Sequence, residues 1–151
     1  MPLDPSYAGR TYPPSEPYEV CREKLREFAR AVGDTDVASR DPEAARALGF
    51  PDIVAPPTFA AVVAFRGLDV ITSDPELGLD YRRVLHRDQA FRYVRPVFAG
   101  DRLTATATIE TVKSMRGNDL LTVRCDLATT DGEPVGTVTS TLVSRAAEGG
   151  P

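Results

Sequence analysis

The stretch PPTFAAVVAFRGL, residues 56–68, opens on two prolines and carries no charge before Arg66. Proline suits the first turn of a helix, where its missing N–H would have had no partner in any case. From Phe59 to Phe65 every residue is apolar, so a helix here has no polar face to offer water. The pattern predicts a central helix over about 57–70, buried on all sides. The apolar run is far shorter than the ~18 residues a membrane span needs.

Downstream, Ser73-Asp74-Pro75 and Gly78 mark a loop over 72–82, and the period then becomes two. Leu103, Ala105, Ala107 and Ile109 alternate with threonines, and Leu121, Val123, Cys125 and Leu127 alternate with Thr122, Arg124 and Asp126. Two more strands fit 84–95 and 135–143. Turn signals separate the four at Ala99-Gly100-Asp101, Gly117-Asn118-Asp119 and Asp131-Gly132.

Upstream, Leu25, Phe28, Ala29 and Val32 recur at helical spacing, giving an amphipathic helix over 18–32 that Gly33 stops. Asp41 as N-cap, Pro42 at the first helical position and Gly49 past the end outline a second, short helix. Residues 1–17, with five prolines, read as an extended arm whose Tyr7 and Tyr12 pack onto the domain, and 146–151 as a disordered tail. Helices first and antiparallel strands afterwards define an α+β class. A sheet wrapped around one apolar helix is the hot-dog architecture, here a single domain over 1–145. Such a sheet keeps an open edge, so an obligate dimer is expected.

Composition narrows the function. Eighteen basic against twenty-two acidic residues give a net charge of −4, which argues against nucleic-acid binding. Cys21 and Cys125 stand far apart with no CxxC, which predicts neither a disulfide nor a metal site, and no cofactor is implied. With neither signal peptide nor apolar span read in the sequence, a cytoplasmic protein is expected. His86 is the single histidine, so chemistry needing two must borrow one from another chain.

The order helix, GDTD, short helix, DIVAPPTF, then LHRDQAFRYVRPVFAGDRL resembles the MaoC-like dehydratases over about 7–145. Within them it is similar to the FAS1-like dehydratase N-terminal group, which includes the A-type subunits of actinobacterial (3R)-hydroxyacyl-ACP dehydratases. The resemblance implies a hot-dog fold and reversible addition of water to a 2-enoyl thioester, in fatty-acid or related lipid or polyketide metabolism. Catalytic members carry GDxNPxH, whose Asp and His act on substrate and water. Here Gly33 and Asp34 match, but Asp36, Val37 and Ser39 replace Asn, Pro and His. A serine cannot act as a near-neutral base, because its own pKa is far too high. Catalytic relatives also have a His-Gly step at the start of the central helix, where backbone N–H groups polarise the thioester carbonyl. Pro56-Pro57 stands there in this chain, removing a donor whose loss typically costs about 3 kcal/mol of transition-state stabilisation. Thr58 and Phe59 still offer amides for a shifted site.

The candidate residues each carry a plainer reading beside the functional one. Asp34 is a catalytic acid or a loop cap; His86 is a substitute base or a structural histidine; Ser39 lacks any nucleophile elbow. Pro57, Thr58, Phe59, Val62, Val63 and Phe65 border an acyl tunnel or simply pack the core. Arg82, Arg83, Arg87, Arg92 and Arg95 receive a phosphopantetheine phosphate or an acidic carrier, or else form a solvated face. The leading expectation is an acyl-binding, non-catalytic subunit whose partner, a MaoC-like chain with an intact Asp/His motif, does the chemistry on acyl-ACP or acyl-CoA. Two alternatives stand beside it: a self-sufficient homodimeric hydratase using Asp34 and His86, and a catalytically silent homodimer that holds an acyl ligand.

Overall fold

Leu3 donates its backbone N–H to the buried Asp119 carboxylate at 2.7 Å, and from there the N-terminal arm runs along one edge of the sheet. The computed structural model describes residues 3–145; the tail expected over 146–151 lies outside them. The arm is not loose. Gly9, Tyr12 and Ser15 donate N–H groups to Ile109, Ala107 and Ala105 carbonyls at 2.7–2.9 Å, and the Ser15 hydroxyl accepts from Ala105 N–H. Tyr12 donates its hydroxyl to Asp74 at 2.9 Å, with Arg10 lying over the Tyr7 and Tyr12 rings.

The arm ends in a two-residue strand, β1 (Tyr18–Glu19), so the first helix is shorter than its periodicity suggests. Tyr18 pairs with Leu103 and turns its ring edge-on to Phe59, and buried Val20 follows. Sheet pairing thus captures the residues that would have made the first turn. Helix α1 (Arg22–Val32) ends at Gly33, whose φ of 72° is left-handed and free of strain only for glycine. Helix α2 (Pro42–Ala47) starts on the Asp41 carboxylate, which accepts from Glu43 N–H at 3.0 Å.

Helix α3 (Ala60–Thr72) begins three residues later than the expected start at Pro57. It buries Ala60, Val63, Ala64, Gly67, Leu68 and Ile71 against the sheet. A Cβ on Gly67 would meet Cys125 Sγ at 3.2 Å and Ala105 Cβ at 3.3 Å, so small residues on both sides set how closely the helix sits. The expectation of burial all round needs correcting. Phe65, Arg66 and Asp69 are exposed and Val62 is half-buried, because the sheet wraps only one side of the helix.

The sheet comprises β2 (Val84–Tyr93), β3 (Arg102–Met115), β4 (Asn118–Thr129) and β5 (Pro134–Ser144), with order β1-β3-β4-β5-β2 and every pairing antiparallel. Strands β3 and β4 run well past the expected limits. A bulge between Ile109 and Thr111 shifts the register, so simple alternation fails there although pairing continues to Met115↔Asn118. The arm covers the β3 edge. Strand β2 forms the other edge with no strand beyond it among the described residues.

Asp52 ties α1 to the segment leading into α3. Its carboxylate accepts two bonds from Arg22, at 3.0 and 2.8 Å, and one from Ile53 N–H at 2.7 Å. These bonds, led by the Arg22 contact, hold its pKa down at about 2, against 3.8 for an unperturbed aspartate. A depressed carboxylate stabilises the fold above its unfolded pKa and loses that contribution as pH falls through the folded value. Asp52→Asn is therefore expected to lower urea stability at about pH 5, with the difference from wild type vanishing towards about pH 2. A constant difference across that range would contradict this assignment.

Candidate functional site

The altered catalytic segment folds as a scaffold. Asp34 donates its N–H to Ala29 O at 2.8 Å, closing the end of α1, and its carboxylate accepts from Asp36 N–H at 2.8 Å in an Asx turn. Arg40 donates to the Asp34 carbonyl. Asp36 in turn accepts from Ala38 N–H at 3.0 Å, starting a short turn over Val37–Ser39. Ser39, which stands at the family's histidine position, is buried. These bonds make Asp34 a capping residue.

His86 lies elsewhere, exposed on the edge strand β2, its ring edge-on to Phe65 of α3 at 5.6 Å. Within the chain it shares no hydrogen bond with Asp34. Of the six proposed tunnel residues, Phe59 and Val63 are fully buried in the core, Phe59 between the edges of Tyr18 and Phe28. Val62 and Phe65 face the open side of α3, and Thr58 is exposed. Pro57 alone of the six lines a cavity.

That cavity, about 320 Å³, is formed by Val54, Ala55, Pro57, Tyr93, Val94, Arg95, Pro96 and Val97. It lies between the approach to α3 and the end of β2, where Val54 bridges to Phe98 and Ala55 N–H donates to Val97 O at 2.8 Å. Apart from the Arg95 side chain and the Tyr93 hydroxyl, its walls are aliphatic.

The start of α3 forms the inner end of this region. Phe59 N–H donates to Pro56 O at 2.9 Å, Ala61 N–H to Thr58 O at 3.1 Å and Val62 N–H to Phe59 O at 2.9 Å. Phe59 therefore offers no free amide for a shifted carbonyl site, contrary to the sequence expectation. The Ala60 N–H is directed at Tyr93 Oη, and the same hydroxyl donates to Pro57 O. Burial raises the Tyr93 pKa and the Ala60 amide partly offsets that rise, so this phenol is neutral near pH 7.

The arginines do not form one cluster. Arg95 is committed to structure: both its terminal nitrogens meet the Asp101 carboxylate at 2.9 and 3.0 Å, and its Nε donates to Glu133 at 2.7 Å. Those carboxylates hold its pKa above an already high value, and Asp101 also accepts from Phe98 N–H at 2.9 Å. The RPVFAGD run is thus a clamped turn behind the cavity, and assigning Arg95 to carrier recognition is corrected. Arg95→Met, which leaves two carboxylates without their cation, is expected to cost about 2–3 kcal/mol in urea unfolding. No loss would show the clamp to be dispensable. Arg82 pairs with Asp80 and Arg87 with Asp88, while Arg92 lies on the outer face of the sheet beside Arg124, Thr137 and Thr139. Arg83 belongs to the short turn over Tyr81–Arg83 that precedes β2.

Tyr93, Val94, Pro96, Val97, Val54 and Ala55 were not among the residues singled out from sequence. Only the alternation RYVRPV at the close of a strand hinted at them, and nothing in it points to Pro57 or Ala60.

The model of the FAS1-like, dehydratase domain region family matches residues 6–138. The chain belongs to this family. Among FAS1-like relatives, a UPF0336 protein of Streptomyces griseus is 59% identical over 148 residues, covering 98% of this chain and 99% of its own. A MaoC-like dehydratase structure superposes with a TM-score of 0.81 at 34% identity, over 95% of this chain and 43% of that longer one. A chain in the crystal structure of the C-terminally truncated HadBC (3R-hydroxyacyl-ACP dehydratase) complex from Mycobacterium tuberculosis is also 34% identical. It superposes with a TM-score of 0.80 over 95% of this chain and 99% of that one. The family's hot-dog fold is therefore the fold of this chain.

Proposed function

We propose that this chain is the acyl-binding, non-catalytic subunit of a heterodimeric (R)-specific 3-hydroxyacyl-thioester dehydratase. The observation that carries the reading is a double departure at one place. Ser39 stands where a base is needed, and the first turn of α3 has its amides engaged, with prolines at 56 and 57. Neither proton transfer nor carbonyl polarisation has its usual group. The apolar cavity at Tyr93 remains, of a size and lining suited to a hydrocarbon chain.

A partner would meet the β2 side. That edge strand carries exposed Leu85, with Val94 exposed just beyond it and Phe65 of α3 beside it, whereas the opposite edge is already covered by the arm. A second hot-dog chain with an intact Asp/His motif would extend the sheet there and bring its active groups beside the cavity. Similarity to a chain of the HadBC complex supports this arrangement. The substrate would be an acyl-ACP or acyl-CoA, with Arg82, Arg83 and Arg87 on the β2 side as its polar approach.

The test is co-expression with such a chain, followed by hydration assays of crotonyl and longer enoyl thioesters on the complex and on each chain alone. Activity confined to the complex is the expected result. Robust activity of the isolated chain, abolished by Asp34→Asn, would sink the reading. So would a stable homodimer that refuses the partner but retains an acyl ligand, which would make the chain a silent binding module.

A further inference from the structure

Resting on the acyl-binding reading, we infer that Tyr93 is a specificity-determining residue that closes the start of α3 to a thioester carbonyl, so that the adjoining cavity accepts only the hydrocarbon end of a ligand. The hydroxyl stands where a ligand oxygen would have to stand. It accepts from Ala60 N–H and returns a hydrogen bond to Pro57 O, so both groups that could grip a carbonyl or a hydroxyl are engaged within the chain. Phe59, Ala61 and Val62 have their amides bonded to carbonyls three residues back. A carbonyl entering the cavity therefore meets no vacant backbone donor, and leaving water without a replacement bond is costly. A methylene chain meets Val54, Ala55, Pro57, Val94, Pro96 and Val97 and forfeits nothing.

The tyrosine is held firmly in this position. Its ring lies parallel to Phe91, 6.4 Å between centroids, and its backbone pairs with Gly136 of β5. Behind it, the Arg95 clamp with Asp101 and Glu133 fixes the segment that turns out of β2. The consequence is directional. A ligand enters tail first, and its thioester remains outside, towards the β2 edge where a catalytic partner would reach it.

Infrared spectroscopy of a carbonyl-labelled (carbon-13) hexanoyl-pantetheine bound to the full-length protein separates the possibilities. In wild type the bound carbonyl band is expected to stay at its position in water. In Tyr93→Ala, which frees the Ala60 amide and removes the ring, a second band at lower frequency is expected, the mark of a new donor. Affinity should also rise with chain length beyond the wild-type plateau, by about fourfold per added methylene. Tyr93→Phe keeps the ring and serves as the well-folded control, with no low-frequency band. A band already shifted in wild type and lost in Tyr93→Phe would overturn the inference, since the phenol would then be a carbonyl donor. Identical spectra and chain-length profiles in all three proteins would overturn it as well, while leaving acyl binding intact. If wild type binds no hexanoyl or longer pantetheine thioester at all, the acyl-binding reading fails and the inference falls with it.

Discussion

Assayed alone, the chain is expected to hydrate enoyl thioesters at least ~10⁴-fold more slowly than the same chain in complex with a partner carrying an intact Asp/His motif. General acid–base catalysis by a positioned side chain contributes ~10²–10⁴-fold, and one oxyanion donor ~10²–10³-fold. The two need not multiply, so the lower bound is the safer expectation. In this chain Asp34 is spent on an Asx turn, Ser39 cannot take a proton near neutral pH, and His86 is across the molecule on β2. The informative controls are point variants in the complex. Asp34→Asn should change the hydration rate of the complex by less than about threefold, since a local cap is worth stability and not chemistry. Substituting the partner's motif carboxylate should remove the activity. Equal loss from both would place Asp34 in the active site and defeat the assignment.

Gly136→Val is expected to destabilise the protein by about 3 kcal/mol or more, roughly a 10 °C fall in Tm for a chain of this size. Gly136 faces Tyr93 across the β2–β5 pair, and a Cβ there would lie 2.7 Å from the Arg92 carbonyl oxygen and 3.4 Å from Tyr93 Cδ1. The obstacle is backbone, which cannot rotate aside as a side chain can. Relief requires prising the end of β2 from β5, and β2 carries the Tyr93 ring over the start of α3. The damage should thus be double: a lower midpoint in urea, and a carbonyl infrared band resembling that of Tyr93→Ala. Gly136→Ala should show the same signs more weakly. Wild-type stability in the valine variant would mean that β2 leaves more room than the geometry gives it.

Much of the architecture is legible in the residues. Period-two runs such as Leu103 to Ile109 can bury one face only as strands, and the run from Phe59 to Phe65 can satisfy itself only as a covered helix. Asp41-Pro42 and Gly33 are local signals with local causes, and each forms the cap its chemistry implies. Legibility failed where a distant partner overrides the local pattern. Tyr18 and Glu19 join the sheet because Leu103 and Arg102 lie opposite, and β3 continues past Glu110 because a bulge absorbs the lost register. The five arginines look alike along the chain. Only the approach of Asp101 and Glu133 separates Arg95, a structural clamp, from Arg92, which lies open on the outer face.

By itself, the sequence determined that this is an α+β chain wrapped on an apolar helix and that its catalytic segment lacks a histidine and a helix-entry amide. Those are properties of residue identity and spacing, which no folding can supply or conceal. The tertiary structure alone decided what fills the vacated positions. A phenol from the end of β2, thirty-six residues from Pro57, reaches the start of α3, and an arm from the N-terminus seals the β3 edge so that β2 is the side left open. Both depend on strands brought together by burial and pairing over long separations, where local periodicity carries no information.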